Sequence, residues 1–389
     1  MIKLSVVLPA RNEFPHVVFT CHDIWNCFEA EGIDPDETEL IIVDNCSDEK
    51  EGKDWQKPGV RGTSTHMMPR GAYASRSLRV IYDPIAGNHS ARNLGAKIAR
   101  GKYIYFSDAH MSYKPGFFTK MMKAVDESGG LVHGGLQFMG AYPPQDGSTG
   151  YAYTLKLGEE IKGTWNNTKL ADTWFYVPAQ GHWGVMALRE QFLAFGGYPN
   201  GWPMSEDNWP ESDSHFRAYG GGEFYTDMKW WLFGSCVVTE PNAIGYHLAS
   251  SRGYSYHHMD YVKNVLAMSY ALGMDDWRER AYINWCRSKN LEEMKTAYEG
   301  SEKYMAKERQ FVDKNKKTTM NELLADRPWE KMNKEKHGVF KSTLNIFHDS
   351  WLPLLKGTQA EALYPGKYQE ELEKFINSSL SECVYKRKK

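Results

Sequence analysis

The sequence predicts an α/β protein built on a doubly wound, mostly parallel sheet and followed by a helical C-terminal extension. Short β-branched and aromatic runs alternate with helical segments over about the first 110 residues, an order that favours parallel strands. Three of these runs lead into acidic residues, namely Glu13, Asp44 and Asp108. Ligands of such sheets bind beyond the carboxyl ends of the strands, so these residues are candidates for a binding site.

Each element of the first part follows from its hydrophobic period. β-Branched and aromatic runs predict strands at 4–8, 39–43, 78–82 and 103–108. Apolar residues at helical spacing predict helices at 15–30 and 88–99. The polar stretch 49–77 has no clear period and predicts a long loop.

The rest of the chain mixes both kinds of element before it becomes helical. Further strands are predicted at 131–138, 181–188 and 237–239, and further helices after Gly116, up to Phe195 and over 220–233. The Trp- and Pro-rich stretch 202–213 predicts a loop, and from about residue 257 the pattern is helical with many charges. We place a domain boundary near 273–277, which divides the chain into 1–273 and a helical, basic region at 274–389.

The charge is uneven along the chain. The 389 residues carry a net charge of −2, yet residues 278–389 hold 23 Lys and Arg against 17 Asp and Glu. This asymmetry is compatible with a polyanionic partner for the C-terminal region, but a solvated helical surface with a basic tail at 386–389 is the somewhat better explanation.

Composition also bounds the location of the protein. No run of about 18 apolar residues occurs, and the chain opens directly on a strand, so we expect neither a membrane span nor a signal peptide. We therefore expect a cytoplasmic protein, in the host cytoplasm if its source is a virus. The six cysteines lack the spacing of a zinc site and are expected to be reduced.

Two residues at the end of the fourth strand form a candidate half-site for a metal. Residues i and i+2 of an extended chain point the same way, so Asp108 and His110 share one direction. A carboxylate oxygen beside an imidazole nitrogen suits a divalent ion such as Mn²⁺. An Asp and a His at a strand end also often hydrogen-bond a loop, so this pair alone leaves both interpretations open. Neither a G-x-G-x-x-G after the first strand nor a P-loop motif is present, which disfavours the common dinucleotide and NTPase folds.

Several ordered blocks between residues 3 and 256 resemble the GT-A glycosyltransferases, and most closely the polypeptide N-acetylgalactosaminyltransferase type. The blocks are the opening strand 5–13, the strand end 41–48, the helix 90–101, Asp108-Ala109-His110, Gly221-Gly222-Glu223 and Ile244-Gly245-Tyr246-His247. The D-x-H form of the metal motif is the one that this type uses. The resemblance implies a GT-A fold and the transfer of a sugar from a UDP-sugar to an acceptor hydroxyl.

Three features depart from the pattern of that type. Tyr246 stands between the glycine and His247 where the family has V-G-H, and Phe224 replaces the family's Asn. Residues 208–218 look inserted, close to where the acceptor is expected to bind. The acceptor is therefore the property that the resemblance implies least directly.

The resemblance also implies the residues that bind the donor and its ion. Mn²⁺ or Mg²⁺ is expected on Asp108, His110 and His247. The expected donor-binding residues are Pro9, Arg11, Glu13, Asp44, Arg92, Asp108 and Arg252. His247 could instead be a core or loop histidine, and Arg252 a surface arginine.

The catalytic prediction rests on Glu223 and its neighbour. In inverting members an acidic residue after this Glu acts as general base, but Phe224 cannot accept a proton. This favours retention of configuration, with Glu223 orienting the acceptor hydroxyl; alternatively Glu223 is only a helix-start carboxylate. Asp207 and Asp213 in the inserted loop are further candidate bases.

The predicted acceptor is a hydroxymethylated pyrimidine in DNA, bound by the basic C-terminal region, as in the viral type of DNA modification. Trp183, Trp202 and Trp209 are aromatic residues that could contact such a base. Ser or Thr of a polypeptide and another glycan are the alternative acceptors. A non-catalytic module that binds nucleotide or carbohydrate is the alternative to an enzyme, and the set of Asp108, His110 and Glu223 favours the enzyme.

Overall fold

The structure is a computed structural model that describes most of the chain. The described residues are 1–13, 16–45, 47, 77–83, 87–140, 147–157, 161–199, 221–248, 258–286, 291–338 and 345–347. The predicted loops 49–77 and 202–213 and the basic tail at 386–389 fall outside them, apart from Ser77, which begins a strand.

The strands follow the β-branched and aromatic runs of the sequence. Their bounds are β1 Leu4–Ala10, β2 Thr38–Asn45, β3 Ser77–Asp83, β4 Tyr103–Ser107, β5 Met111–Tyr113, β6 Leu131–Met139, β7 Thr149–Gly150, β8 Ala152–Leu157, β9 Ile161–Asn166, β10 Phe175–Tyr176, β11 Gly184–Leu188, β12 Val237–Leu248 and β13 Asn345–Phe347. β2 and β4 are buried along their whole length, which is why they read as continuous apolar runs without alternation.

The helices occupy the amphipathic segments between and after these strands. Their bounds are α1 His16–Ala30, α2 Asn88–Ile98, α3 Phe117–Ser128, α4 Arg189–Ala194, α5 Gly222–Leu232, α6 His258–Ala271, α7 Asp275–Cys286, α8 Leu291–Asn315, α9 Met320–Asp326 and α10 Pro328–His337. A short 3₁₀ turn at Pro35–Glu37 leads into β2.

The central sheet has the order β10-β12-β6-β11-β4-β1-β2-β3. Strands β4, β1, β2 and β3 are parallel, whereas β11 runs antiparallel to both of its neighbours. The chain moves outward from β1 to β3 and then returns to the other side of β1 with β4. The strand order therefore reverses between β1 and β4, and in open α/β sheets ligands bind at the carboxyl ends beside such a switch point.

Helix α2 lies close against β1 because one of its residues has no side chain. A Cβ at Gly95 would come within 2.3 Å of Val7 Cγ1, a separation that packed carbon atoms do not adopt. The same helix carries Arg92 and ends just before β4. Its close approach therefore fixes Arg92 relative to the ends of β1 and β4.

Strand β12 connects the core to the edge where β4 ends. It pairs in parallel with β6, with an irregular register between Glu240 and Ile244, and then pairs antiparallel with β5. In that second pairing His247 lies opposite Met111, and Leu248 N donates to His110 O over 3.0 Å. The pairing thus brings His247 beside His110, although 137 residues separate them in sequence.

The C-terminal helices share the hydrophobic core of the sheet. Trp329 of α10 is fully buried and packs edge-to-face against Trp231 of α5 at 5.6 Å. Glu308 of α8 accepts a hydrogen bond from Tyr225 and lies 3.4 Å from Lys229, both on α5. The predicted boundary near 273 falls between α6 and α7, and one apolar cluster continues across it; the division into two domains stays a prediction.

The α/β class, the mainly parallel centre of the sheet and the helical C-terminal region agree with the prediction from sequence. The hairpin β8–β9 and the length of β12 were not predicted. Within the described residues no helix is long and apolar enough to cross a membrane.

Candidate functional site

A cavity of about 400 Å³ opens at the carboxyl ends of β1, β2 and β4. Arg11 and Asn45 reach it from the ends of β1 and β2, and Asp108 from the end of β4. Glu223 enters it from the start of α5. The cavity therefore lies at the switch point of the sheet, as the order of the strands predicts.

Asp108, His110 and His247 bring three ligand atoms together in this cavity. All three ligand atoms lie within 4.8 Å of one another. His110 Nε2 is 3.0 Å from His247 Nε2, which in turn is 3.4 Å from Asp108 Oδ2. Around an ion with bonds of about 2.1 Å, two ligands at right angles are about 3 Å apart. The donor set therefore fits a divalent ion that keeps open positions for other ligands.

Glu13 fixes the orientation of one of these imidazoles. His110 Nδ1 donates to Glu13 Oε2 over 3.1 Å, because a carboxylate can only accept. This hydrogen bond leaves the Nε2 lone pair directed at the site, which is the usual role of a carboxylate behind a metal-binding histidine. His247 differs, because its Nδ1 is buried and has no hydrogen-bond partner in the described part of the chain.

Arg92 binds Asp108 from beneath the cavity. Its Nη2 donates to Asp108 Oδ1 over 2.9 Å, and its side chain is 1% exposed. Burial by itself would raise the pKa of Asp108. The hydrogen bond from His247 and the positive charge of Arg92 outweigh burial, so the pKa is lowered. Asp108 is thus held in the ionised form that a metal ligand needs.

Glu223 presents a carboxylate that no described residue pairs with. It is the second residue of α5, lines the cavity and accepts no hydrogen bond from a described residue. Burial raises the pKa of Glu223, and the nearby charges of His182 and Arg92 oppose that rise. A carboxyl group with a raised pKa in a cleft is a candidate for proton transfer or for positioning a hydroxyl.

The other predicted donor-binding residues occupy different places. Pro9 and Arg11 line the cavity, and Arg11 Nε is buried without a partner among the described residues. Asp44 is buried at the end of β2, where its Oδ1 accepts from Ser47 N over 3.1 Å, and its neighbour Asn45 lines the cavity. Arg92 lies below the cavity wall.

Several predicted residues lie outside the described part of the chain. These are Asp207, Asp213, Arg252, Trp202 and Trp209. Phe224 is described, and it packs in the core and does not line the cavity. Within the described lining, the carboxylates are therefore Glu13, Asp108 and Glu223.

Three aromatic residues of the cavity were not singled out from the sequence. Phe138 lies with its ring centroid 5.7 Å from that of His247 and 6.1 Å from that of Trp165, which also packs edge-to-face on Tyr153. Phe138 is 53% exposed and Trp165 37% exposed, and no described residue covers these large rings at the mouth of the cavity. The signal in the sequence was weak, because β8 and β9 were not recognised as strands. Trp183, predicted as a ring-binding residue, lines the cavity but is almost fully buried.

A second cluster of the same residue types lies deeper in the core. Asp227 Oδ1 accepts from His182 Nε2 over 2.9 Å and from His133 Nε2 over 3.3 Å. Its other oxygen accepts from Gln180 N over 2.8 Å. All three clustered side chains are fully buried, so the hydrogen bonds themselves account for their close approach.

Residues 5–138, which contain β1 to β6 and both ligands Asp108 and His110, match the family model described as Glycosyl transferase family 2. The match covers about a third of the 389-residue chain. This match confirms the glycosyltransferase prediction at the level of the domain. It does not reach the specific N-acetylgalactosaminyltransferase type, which stays a prediction.

Solved structures share the fold of this domain. A crystal structure of GalNAc-T7 with UDP, GalNAc and Mn²⁺ superposes with a TM-score of 0.57 at 14% sequence identity, and the match covers 86% of this chain and 58% of that chain. The chain thus spans little more than half the length of that protein. This match and the family model confirm the predicted GT-A fold.

Two further structures are more distant. TarS residues 1–349 of S. aureus in complex with UDP-GlcNAc gives a TM-score of 0.46 at 12% identity, covering 86% of this chain and 89% of that chain. Mannosyltransferase PcManGT from Pyrobaculum calidifontis with GDP-Man and Mn²⁺ gives 0.43 at 14% identity, covering 80% and 85%. No curated protein sequence matches the chain.

Proposed function

We propose that the protein is a metal-dependent glycosyltransferase that moves a sugar from a UDP-sugar to an acceptor hydroxyl. The observation that carries this proposal is the convergence of Asp108 Oδ2, His110 Nε2 and His247 Nε2 in the cavity at the switch point of a family 2 domain. The GalNAc-T7 structure contains UDP and Mn²⁺, which supports the same donor class here.

These three side chains would hold Mn²⁺ or Mg²⁺. Such an ion neutralises the negative charge that develops on the departing nucleoside diphosphate, without any proton transfer. Glu13 keeps His110 in the tautomer that binds an ion, and Arg92 keeps Asp108 ionised. Arg11, at the end of β1, is the described cation of the cavity that can pair with a donor phosphate.

Glu223 would act on the acceptor. During transfer the bond from the anomeric carbon to the phosphate oxygen breaks and a bond to the acceptor oxygen forms. In the retaining route the acceptor hydroxyl, on the same side as the leaving group, passes its proton to the departing phosphate oxygen. Glu223 is the one described carboxylate of the cavity that is bound neither to a predicted metal ligand nor to Arg92, so it is placed to hold that hydroxyl. The lining shows no second free carboxylate among the described residues, which supports transfer with retention.

Hydroxymethylated pyrimidine in DNA is the acceptor that we propose to test first. Its support is the basic excess of residues 278–389, and the exposed rings of Phe138 and Trp165 beside the site could stack on a base. Ser or Thr of a polypeptide and a glycan hydroxyl are the other two arms of the test. A module that binds nucleotide without catalysis is the alternative to an enzyme.

The deciding experiment incubates the protein with a panel of UDP-sugars and Mn²⁺ and measures the release of UDP. Radiolabelled donors are offered in parallel with hydroxymethylcytosine DNA, hydroxymethyluracil DNA, a Ser/Thr peptide pool and an oligosaccharide pool. We expect label to enter one acceptor class with the wild type and none with Asp108→Ala. Donor binding without UDP release in any arm would support the non-catalytic module.

The same product tests the stereochemical proposal. The coupling constant of its anomeric proton, measured by NMR, distinguishes retention from inversion. An inverted product would contradict the role proposed for Glu223 and would favour Asp207 or Asp213 as the base.

A further inference from the structure

We propose that Asp227, His182, Tyr198 and Arg92 form a positioning chain that decides which oxygen of Asp108 faces the metal site. These residues do not contact the ion, the donor or the acceptor in this scheme. The inference rests on the metal site of the proposed function and adds residues to it that the comparison with known proteins does not assign.

The chain begins at Asp227 and sets the tautomer of His182. Burial raises the pKa of Asp227, but the adjacent His182 and His133 outweigh it and lower that pKa, so the carboxyl group is ionised and can only accept. His182 Nε2 lies 2.9 Å from Asp227 Oδ1 and must therefore carry the hydrogen. Burial lowers the pKa of His182, so its imidazole is neutral and its Nδ1 is left as an acceptor.

The acceptor on His182 orients Tyr198. The Tyr198 hydroxyl lies 2.8 Å from His182 Nδ1 and donates its hydrogen there, since that nitrogen has none to give. Tyr198 is fully buried, so its hydroxyl has no water to turn towards. Its oxygen lone pairs then face Arg92, whose Nη1 is 3.4 Å away and whose guanidinium carbon is 5.2 Å from the ring centroid.

Arg92 is held at a second point by the same segment. Its Nη2 donates to the backbone oxygen of His182 over 2.6 Å and to Asp108 Oδ1 over 2.9 Å. With Oδ1 engaged by Arg92, the oxygen of Asp108 that faces His247 Nε2 is Oδ2, at 3.4 Å. The carboxylate therefore offers one oxygen, in one direction, to the site.

This arrangement explains why so many polar groups are buried in one place. Each buried polar group costs free energy unless it is hydrogen-bonded, and a well-packed apolar core would fill the same volume without that cost. Here the direction of each hydrogen bond follows from the one before it, from an ionised carboxylate to a neutral imidazole, a phenol and a guanidinium. Because this chain has a fixed direction and ends on a predicted metal ligand, its role is to orient that ligand as well as to fill the core.

The test measures the dissociation constant of Mn²⁺ for the protein without donor, from the EPR signal of unbound Mn²⁺. Tyr198→Phe removes the hydroxyl and keeps the ring, and we expect it to weaken Mn²⁺ binding about tenfold, the lower end of the range for residues behind a metal ligand. Tyr105→Phe is the matched control, because Tyr105 is equally buried but its hydroxyl bonds to Tyr113 instead. The control should bind Mn²⁺ within about twofold of the wild type.

A pair of substitutions at His182 tests the direction of the chain. His182→Asn places an amide oxygen near the position of Nδ1 and keeps an acceptor for Tyr198, whereas His182→Gln keeps the donor to Asp227 and loses that acceptor. We expect His182→Asn to retain more of the Mn²⁺ affinity than His182→Gln. This comparison also decides the matter if Tyr198→Phe fails to fold, which circular dichroism would show.

The outcomes separate the two proposals. A wild type that binds no Mn²⁺ overturns the metal site of the proposed function and this inference with it. A wild type that binds Mn²⁺ while Tyr198→Phe and both His182 variants bind it equally well leaves the proposed function intact and refutes the positioning chain.

Discussion

Two clusters in this protein contain the same three side chains, one aspartate and two histidines, but differ in where their hydrogen atoms point. At the cavity, the side chains of Asp108, His110 and His247 are between 18% and 24% exposed. In the core, those of His133, His182 and Asp227 are 0% exposed. Both clusters bring their ligand atoms within 4.8 Å of one another, so distance alone does not tell them apart.

The partners of the second ring nitrogen distinguish the two clusters. In the cavity, Glu13 accepts a hydrogen bond from His110 Nδ1, so the lone pair of His110 Nε2 points towards the site. In the core, His182 Nδ1 accepts from Tyr198, so the hydrogen on His182 Nε2 points at Asp227. His133 Nε2 donates to the same carboxylate, and its Nδ1 has no hydrogen-bond partner among the described residues. His110 therefore directs a lone pair at the site, whereas both histidines of the core cluster donate to their own aspartate. The same residue types thus offer ligand atoms in one place and bind one another in the other.

The largest expected effect is the loss of transfer when a cavity ligand is removed. Asp108→Ala or His110→Ala should lower kcat/KM at least about 1,000-fold, because the charge on the leaving group is no longer neutralised. The free energy of unfolding should change little in His110→Ala, whose side chain is partly exposed, but should fall in Asp108→Ala, which leaves the buried Arg92 without its carboxylate. The measurement is transfer in EDTA-treated buffer resupplied with Mn²⁺, together with urea unfolding.

The control for that experiment is Asp172→Ala, which removes a carboxylate whose side chain is 97% exposed and paired only with Lys169. It should leave both activity and stability unchanged. Wild-type turnover by either cavity variant under these conditions would show that the metal assignment is wrong.

The core cluster should show its largest effect in stability. Asp227→Ala leaves the Nε2–H groups of His133 and His182 and the N–H of Gln180 without an acceptor, so we expect the free energy of unfolding to fall by about 3 kcal/mol. Urea unfolding by circular dichroism measures it. Asp126→Ala, at a surface ion pair with Lys102, should cost less than about 1 kcal/mol. Equal stability of the two variants would contradict the structural role of the core cluster.

Stabilisation by metal should distinguish a histidine of the cavity cluster, His247, from a histidine of the core cluster, His133. At a Mn²⁺ concentration of about 100 times its dissociation constant, the wild type should gain about 2.7 kcal/mol of unfolding free energy. His247→Ala should lose most of this gain, because it removes a ligand atom. His133→Ala should be less stable than the wild type without metal but should keep the gain. A gain that depended on His133 and not on His247 would mean that the ion binds in the core.

The smallest expected effect is a pH dependence that comes from His182. Burial lowers the pKa of His182 in the folded protein below its usual 6.5. Just below pH 6.5, His182 is therefore protonated in the unfolded chain but stays neutral in the folded protein. Stability is therefore lost as the pH falls from about 6.5 towards the lowered value. Between pH 7.5 and 5.5, without metal, the wild type should lose about 1 kcal/mol more than His182→Asn. Parallel losses in the two proteins would show that His182 titrates normally.

The cavity cluster could be predicted in large part from the sequence, and the core cluster could not. Asp108 and His110 stand two residues apart at the end of an apolar run, and the family pattern supplied His247. The core cluster draws one residue each from β6, from the segment before β11 and from α5, and no local pattern connects them. Only the pairing of β6 with β11 and the packing of α5 bring them together.

The aromatic rim shows the same limit for the rest of the site. Phe138 and Trp165 are far apart in sequence, and each resembles an ordinary strand residue. Their exposure becomes informative only when the hairpin β8–β9 places Trp165 beside Phe138 at the cavity mouth. Phe224 shows the opposite limit. It follows Glu223 directly in the sequence, but its side chain packs in the core and not at the cavity.

The contact between α8 and α5 gives the C-terminal helices a thermodynamic role at the site. Glu308 of α8 binds both Tyr225 and Lys229, two and six residues after Glu223 on the same helix, and Lys229 Nζ also donates to the Gly197 carbonyl, next to Tyr198, over 2.6 Å. We therefore expect a partner that binds the C-terminal helices and shifts Glu308 to shift the helix that carries Glu223 as well. Because coupling free energies are reciprocal, the occupancy of the cavity must then change the affinity of those helices for their partner by the same factor.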